Sequence, residues 1–141
     1  AVRDGENGPF LRRMAQLRHR LRDFLAKGAM ARPPRFREPL PQVTADWQWS
    51  GVWPVSGPAI ESGAWRARDG RVACIFVNVT GERRAAVWEF APEAFGRASE
   101  PCAAAIVTED GRRAEGAMLA PGPVPIDLGP GEAFAYILPA E

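Results

Sequence analysis

Histidine is almost absent from this chain: His19 is the single one. Any Ser-His-Asp or Cys-His constellation would have to be built on it. It lies between Arg18 and Arg20 in a helical pattern and reads as a surface residue. Cysteine is nearly as scarce. Cys74 and Cys102 form no C-x-x-C, and a zinc site needs more ligands than these residues supply. Both sit in apolar, strand-like runs, which favours burial as small hydrophobes over a disulfide or a reactive thiol. No Gly-rich phosphate loop of the Walker or dinucleotide type occurs. No apolar run approaches the roughly 18 residues that span a bilayer. The residues therefore imply no metal, no cofactor and no membrane partner. The chain opens on "AVRDGENGPF", with no initiator Met and no signal-peptide core. It reads as a piece of something longer.

What is present is ordinary globular material. The chain has 141 residues, 46% hydrophobic and 25% charged, enough for a real core without staples. Its 14 glycines and 14 prolines are scattered, as in many short strands joined by turns. The net charge of +1 hides an asymmetry. Residues 1–37 hold ten Lys/Arg against three Asp/Glu, and residues 38–141 hold eight against fourteen. A basic segment can be a nucleic-acid footprint. No basic-aromatic stripe or helix-turn-helix spacing accompanies this one, so it is expected to face the acidic remainder, a partner or solvent, and not nucleic acid.

One helix is expected, from Pro9 to Lys27. Phe10, Met14, Leu17, Leu21, Phe24 and Leu25 recur at three- and four-residue steps and share a face. Pro9 suits the first helical position with Asn7 or Gly8 as cap, and Gly28 suits a left-handed closing residue. The apolar stripe has to pack on the β part or on a larger neighbour. "GAMARPPRFREPLPQV" then reads as an extended connector.

From Glu61 onward the pattern is β. Asp69-Gly70 and Asp110-Gly111 each mark a hairpin turn between strand-like runs. "GERR" is a turn after which "AAVWEF" is expected to pair back on "RVACIFVNVT". "APEAFG" suits one helical turn, and a Gly-Pro-Gly turn separates the last two short strands. Val72, Cys74, Phe76 and Asn78 alternate with Ala73, Ile75, Val77 and Val79, and both sets are mostly apolar. That strand is central and covered on both faces. The fold class is mainly β: an antiparallel β-sandwich with an N-terminal α-helix. The expected division is a helix and connector over 1–37 and a sandwich over 38–141.

The carboxylates fall on turns and surfaces. Asp69 and Asp110 are turn formers, and Glu82, Glu115 and Glu132 flank glycines. No pair stands out as the acid and base of a glycosidase. Asn78 opens an "NVT" glycosylation pattern, but its place at a buried strand end suits an amide that satisfies a turn. Five tryptophans are many for this length. Trp65 and Trp88 fall inside strand patterns and are expected in the core. Trp47, Trp49 and Trp53 lie in a loop-rich segment around Ser50-Gly51. They are either connector glue or a platform on which sugar rings stack.

The helix "FLRRMAQLRHRLRDFLAKG", the strand "GAMARPP", the hairpin "WRARDGRV" leading to "VNVT", and the closing "PGEAFAYILPA" together resemble a known arrangement. They are similar to the C-terminal end of glycoside-hydrolase-like proteins, including a family of unknown function that joins a (β/α)8 barrel to a terminal β-sandwich. The resemblance covers most of the chain through structural motifs. It implies that 1–37 is the end of the upstream barrel-like domain. It implies too that the catalytic carboxylates belong to that barrel, upstream of Ala1, so that no catalytic residue lies here. The expected function is a non-catalytic accessory sandwich that packs on and stabilises its own catalytic barrel. The alternative is a carbohydrate-binding module that uses Trp47, Trp49 and Trp53.

Overall fold

A computed structural model describes residues 7–48 and 52–141, with side chains except at 7, 46–48, 52–53 and 112–115. The elements run α1 (Asn7–Arg20), α2 (Arg22–Leu25), β1 (Ala29–Ala31), β2 (Arg35–Phe36), β3 (Gln42–Gln48), β4 (Val52–Pro58), β5 (Ile60–Arg66) and β6 (Val72–Asn78). They continue as β7 (Arg84–Phe90), a 3-10 turn at Pro92–Phe95, β8 (Cys102–Thr108), β9 (Gly111–Leu119), β10 (Gly122–Leu128) and β11 (Ala133–Leu138). The fold is mainly β with antiparallel sheets and an N-terminal helix, consistent with a β-sandwich-like architecture.

One sheet has six strands in the order β1-β5-β6-β11-β8-β9, and a second has three in the order β10-β7-β2. Every pairing in both is antiparallel. Alternation along the two central strands of the large sheet, β6 and β11, divides the core in two. Val72, Cys74 and Phe76 join Phe134, Tyr136 and Leu138 in a cluster with Trp88, Phe90, Ile126 and Leu128 of the small sheet. Ala73, Ile75, Ala133, Ala135 and Ile137 face the opposite way, against Leu17, Leu21 and Phe24 of the helices. Four aromatic rings surround Phe76, with Trp88 at 5.2 Å and Phe134 at 5.6 Å between centroids, and Phe36 and Tyr136 edge-on. On the helix side the alanines keep the sheet surface low, so that the leucines and Phe24 reach the backbone layer.

The helix thus packs on this chain's own sheet. It starts at Asn7 in the described residues, so Asn7 and Gly8 are helical positions and not the cap. It breaks at Leu21, which is fully buried at the join of α1 and α2. Gly28 is needed for a different reason from the one expected. It has no left-handed φ. A Cβ there would lie 2.5 Å from the Arg66 carbonyl oxygen and 2.5 Å from that of Phe24, so glycine lets the chain leave the helix against β5. The connector then supplies two strands: β1 pairs with β5, and β2 pairs with β7. Arg71 ties the helix end to the β5–β6 turn. Its guanidinium bonds Asp69 at 2.7 Å and Asp23 at 3.5 Å and lies 5.0 Å from the Phe24 ring centroid.

The hairpins at Asp69-Gly70 and Asp110-Gly111 both form, the second with register shifts between Ala104 and Val107, and Pro92–Phe95 is a single turn closed by left-handed Gly96. The pairing of "AAVWEF" with "RVACIFVNVT" does not form. β7 crosses to the small sheet and pairs with β10 and β2, because Trp88 and Phe90 cap the inner face of β6 where a neighbouring strand would leave that face bare. The last two strands also part company across their Gly-Pro-Gly turn, β10 to the small sheet and β11 to the large.

Both crossings meet at Asn78. Its side-chain N–H group donates to the carbonyls of Glu82 (2.7 Å), Gly129 (2.9 Å) and Leu128 (3.2 Å). Its oxygen accepts from the Thr80 amide and hydroxyl. The residue has no exposed surface. A glycan on this nitrogen would replace one of its two hydrogens and would need space beside a side chain that has none, so the folded "NVT" is a corner clasp. The structural reading of Asn78 from sequence holds.

Candidate functional site: an exposed two-stranded arm

β3 and β4 make a third sheet by themselves and hydrogen-bond to neither of the others. The register runs from Gln42 opposite Pro58 to Gln48 opposite Val52. At its base the Ala59 amide donates to the Pro41 carbonyl at 2.8 Å. Part-way along, the Thr44 and Ser56 hydroxyls share a hydrogen bond of 2.8 Å. Thr44, Ala45, Pro54, Val55 and Ser56 are exposed, and none of the arm's described side chains belongs to either core cluster. Two strands have no second layer to bury an apolar face and are marginal alone. The arm is therefore the part of the fold with the fewest internal reasons for its composition.

Two of the three tryptophans singled out in the sequence fall on this arm. Trp47 and Trp53 occupy directly opposed positions in the register. Their side chains, and Trp49 altogether, lie outside the described residues. Positions of the same parity carry Val43, Ala45 and Val55, and in a β ribbon such positions share one side. Val43, Val55 and Pro58 border a shallow groove at the foot of the arm that Glu61, Val79 and Thr80 complete. Val55 and Val79 are 53% and 44% exposed there. The two tryptophans placed in the core differ. Trp88 is fully buried between the sheets. Trp65 is half-buried on the helix side, over Gly63, where a Cβ would strike its ring at 2.6 Å.

The chemistry-bearing residues elsewhere do not converge. His19 is exposed on α1. Among the described residues, no three of His, Cys, Asp and Glu stand close enough to hold a metal ion. Carboxylates pair with arginines: Glu89 with Arg37 at 2.7 Å, Asp127 with Arg83 at 3.0 Å, Glu82 with Arg84 at 3.2 Å. Asp69 accepts the Arg71 amide and guanidinium, and these bonds hold its carboxyl below the usual range. Part of the basic N-terminal segment does meet the acidic remainder, through Arg13 at 3.8 Å from Glu109, Arg20 on the Glu109 carbonyl, and Arg37 on Glu89.

Neither cysteine is in a disulfide. Cys74 is fully buried, and burial pushes its thiol up to about 12. Arg97, which donates to the Gly70 carbonyl, opposes that shift without cancelling it. Cys102 is partly covered and is raised by burial too. A thiol held protonated is a poor nucleophile. Sequence reasoning missed the arm because "TADWQWSGVWPVSG" mixes tryptophan, glycine and proline in a way that hides a strand period. The one available signal was the spacing of Trp47 and Trp53 about Ser50-Gly51. No model of a known protein family matches the chain, and no curated protein matches it.

Proposed function

We propose that this chain is a non-catalytic accessory domain, a β-sandwich that packs on and stabilises the catalytic barrel of a glycoside-hydrolase-like protein. The observation that carries the reading is the arm. A ribbon that leaves Ala45 and Val55 in solvent and contributes nothing described to either core suits contact with a neighbour more than support of its own fold.

The test is the reading frame upstream of Ala1 together with the stability of its full product. A (β/α)8 barrel there, losing several degrees of melting temperature when residues 38–141 are deleted, supports the reading. A frame without a barrel overturns it. So does turnover of an aryl glycoside by the purified chain that vanishes on changing one carboxylate.

A second reading, carbohydrate binding, is favoured by the opposition of Trp47 and Trp53 on the arm. Sugar stacking requires aromatic faces open before the ligand arrives. A saturable change in tryptophan fluorescence with a soluble oligosaccharide, lost in Trp49→Ala without loss of folding, selects this reading over docking to a barrel.

A further inference from the structure

The helices use one face on this fold and leave another unused. Leu17, Leu21 and Phe24 are buried against the large sheet. A second stripe, Leu11, Ala15, Arg18, Arg22 and Ala26, recurs at three- and four-residue steps on a different side and is exposed throughout. With half-buried Met14 it borders a shallow groove along α1 and α2, about 20 Å long at the helical rise per residue. Its N-terminal half is apolar, and Leu11 is 52% exposed. Its other half is basic. Arg18 and Arg22 stand one turn apart, a like-charged spacing that weakens a helix. The dipole of α1 offsets this at its C-terminal end but supplies no acceptor for either guanidinium. Arg22 donates to the His19 carbonyl at 3.1 Å. Among the described residues, neither arginine has a carboxylate partner. Asp23, the one carboxylate of α1 and α2, is held by Lys27 and Arg71.

We propose that this stripe is the docking surface for an acidic amphipathic helix of a partner protein. Ala15 and Ala26 keep the groove low, so a second helix can lie close to α1. Its apolar residues cover Leu11, Met14 and Ala15. Two acids one turn apart meet Arg18 and Arg22, whose planar guanidinium groups take a carboxylate in two parallel bonds. Charge and shape decide against other occupants. A second copy of this chain would set arginines against arginines. An anionic bilayer is held by large apolar side chains that enter it, and on this stripe Leu11 is the one large apolar side chain that is exposed. A nucleic acid or an acidic polysaccharide would answer the arginines and leave the apolar half without a use. The surface lies apart from the arm, and neither reading proposed above depends on it.

The probe is a fluorescein-labelled synthetic peptide of roughly 18 residues, long enough to be helical. It carries Leu and Ala along one stripe and two glutamates one turn apart within it. One counterpart has lysines in place of the glutamates, and another is oligoglutamate of the same length. Anisotropy is expected to show saturable binding of the glutamate helix to the whole chain, weakened by salt. The lysine helix should not bind. Oligoglutamate should bind at least about tenfold more weakly, as the loss of one leucine contact requires. Leu11→Ser should weaken the glutamate helix by a similar factor and leave oligoglutamate unchanged. Arg18→Glu combined with Arg22→Glu should exchange the preference, so that the lysine helix binds and the glutamate helix does not. All three positions are exposed, and circular dichroism checks that each variant is folded. A glutamate helix that does not bind overturns the proposal. So does equal binding of oligoglutamate, which marks a general polyanion site, or co-sedimentation with phosphatidylserine vesicles at the same concentrations, which marks a membrane surface. Should the charge-reversed variant fail to fold, Leu11→Ser and the two counterpart peptides still decide.

Discussion

The large sheet and the arm are both antiparallel β-structure, yet the chain treats them in opposite ways. On β11 every residue from Ala133 to Leu138 is buried, and on β6 only Val77 is even partly open. Each face of those strands has its own cover, the small sheet on one side and the helices on the other. The arm has hydrogen bonds of the same kind, but none of its described side chains joins either core cluster. Strand pairing alone therefore does not distinguish scaffold from appendage in this protein; the second layer does. Hydrogen bonds exchange water for backbone at small net gain, whereas removing apolar area from water yields about 25 cal/mol per Å².

The sharpest way to break that contrast is by thiol labelling. Cys74 in the sheet and an introduced Val55→Cys in the arm should differ by at least about 1,000-fold in rate with a thiol reagent. Reaching Cys74 requires global opening, which costs about 5–15 kcal/mol in ordinary domains. Comparable rates would mean that the large sheet opens locally. The same thiol gives a pH signature. Its folded value lies far above the ordinary 9.0, so the stability linked to it is intact below 9.0 and is lost as pH rises through about 12. Urea melts of the parent and of Cys74→Ala should converge over that alkaline window, and parallel curves would contradict the shift.

Phe76→Ala should cost about 3–5 kcal/mol in a denaturant melt, since four rings contact that side chain and none can collapse into its place. Asn78→Leu should cost about 2–4 kcal/mol, because it removes the bonds that the buried amide donates to carbonyls of both sheet crossings. A loss below that range would mean that water replaces the amide at the corner.

Leu21→Asp puts a carboxylate at a fully buried position. Its cost, about 2–3 kcal/mol, is limited because α1 can peel away while the sandwich stays folded. Unchanged stability would show that the helix is not docked. Val55→Thr in the arm should change stability by less than about 0.5 kcal/mol, as exposed substitutions do. A larger loss would make the arm part of the scaffold and remove the main support for a docking role.

Local chemistry was enough for much of this fold. Leu17, Leu21 and Phe24 announced a buried helical face by their spacing, since a period of 3.6 places them on one side whatever they meet. Asp69-Gly70 and Asp110-Gly111 announced their hairpins, because Gly70 and Gly111 take positive φ that other residues resist. The double alternation of Val72 to Asn78 announced a strand covered twice. Which strand pairs with which depended on contacts distant in sequence. "AAVWEF" has the composition to lie beside β6, and only the packing of Trp88 on Phe76, with Phe90 behind Trp88, sends it to the other sheet. Gly28 carries no sign of the carbonyl of Arg66, 38 positions away, that excludes a side chain there. The sequence by itself determined the elements, because each depends on a few neighbouring residues. The tertiary structure alone decided the layers, the corner at Asn78 and the separate arm, because each depends on which surfaces remain to be buried once the chain has closed on itself.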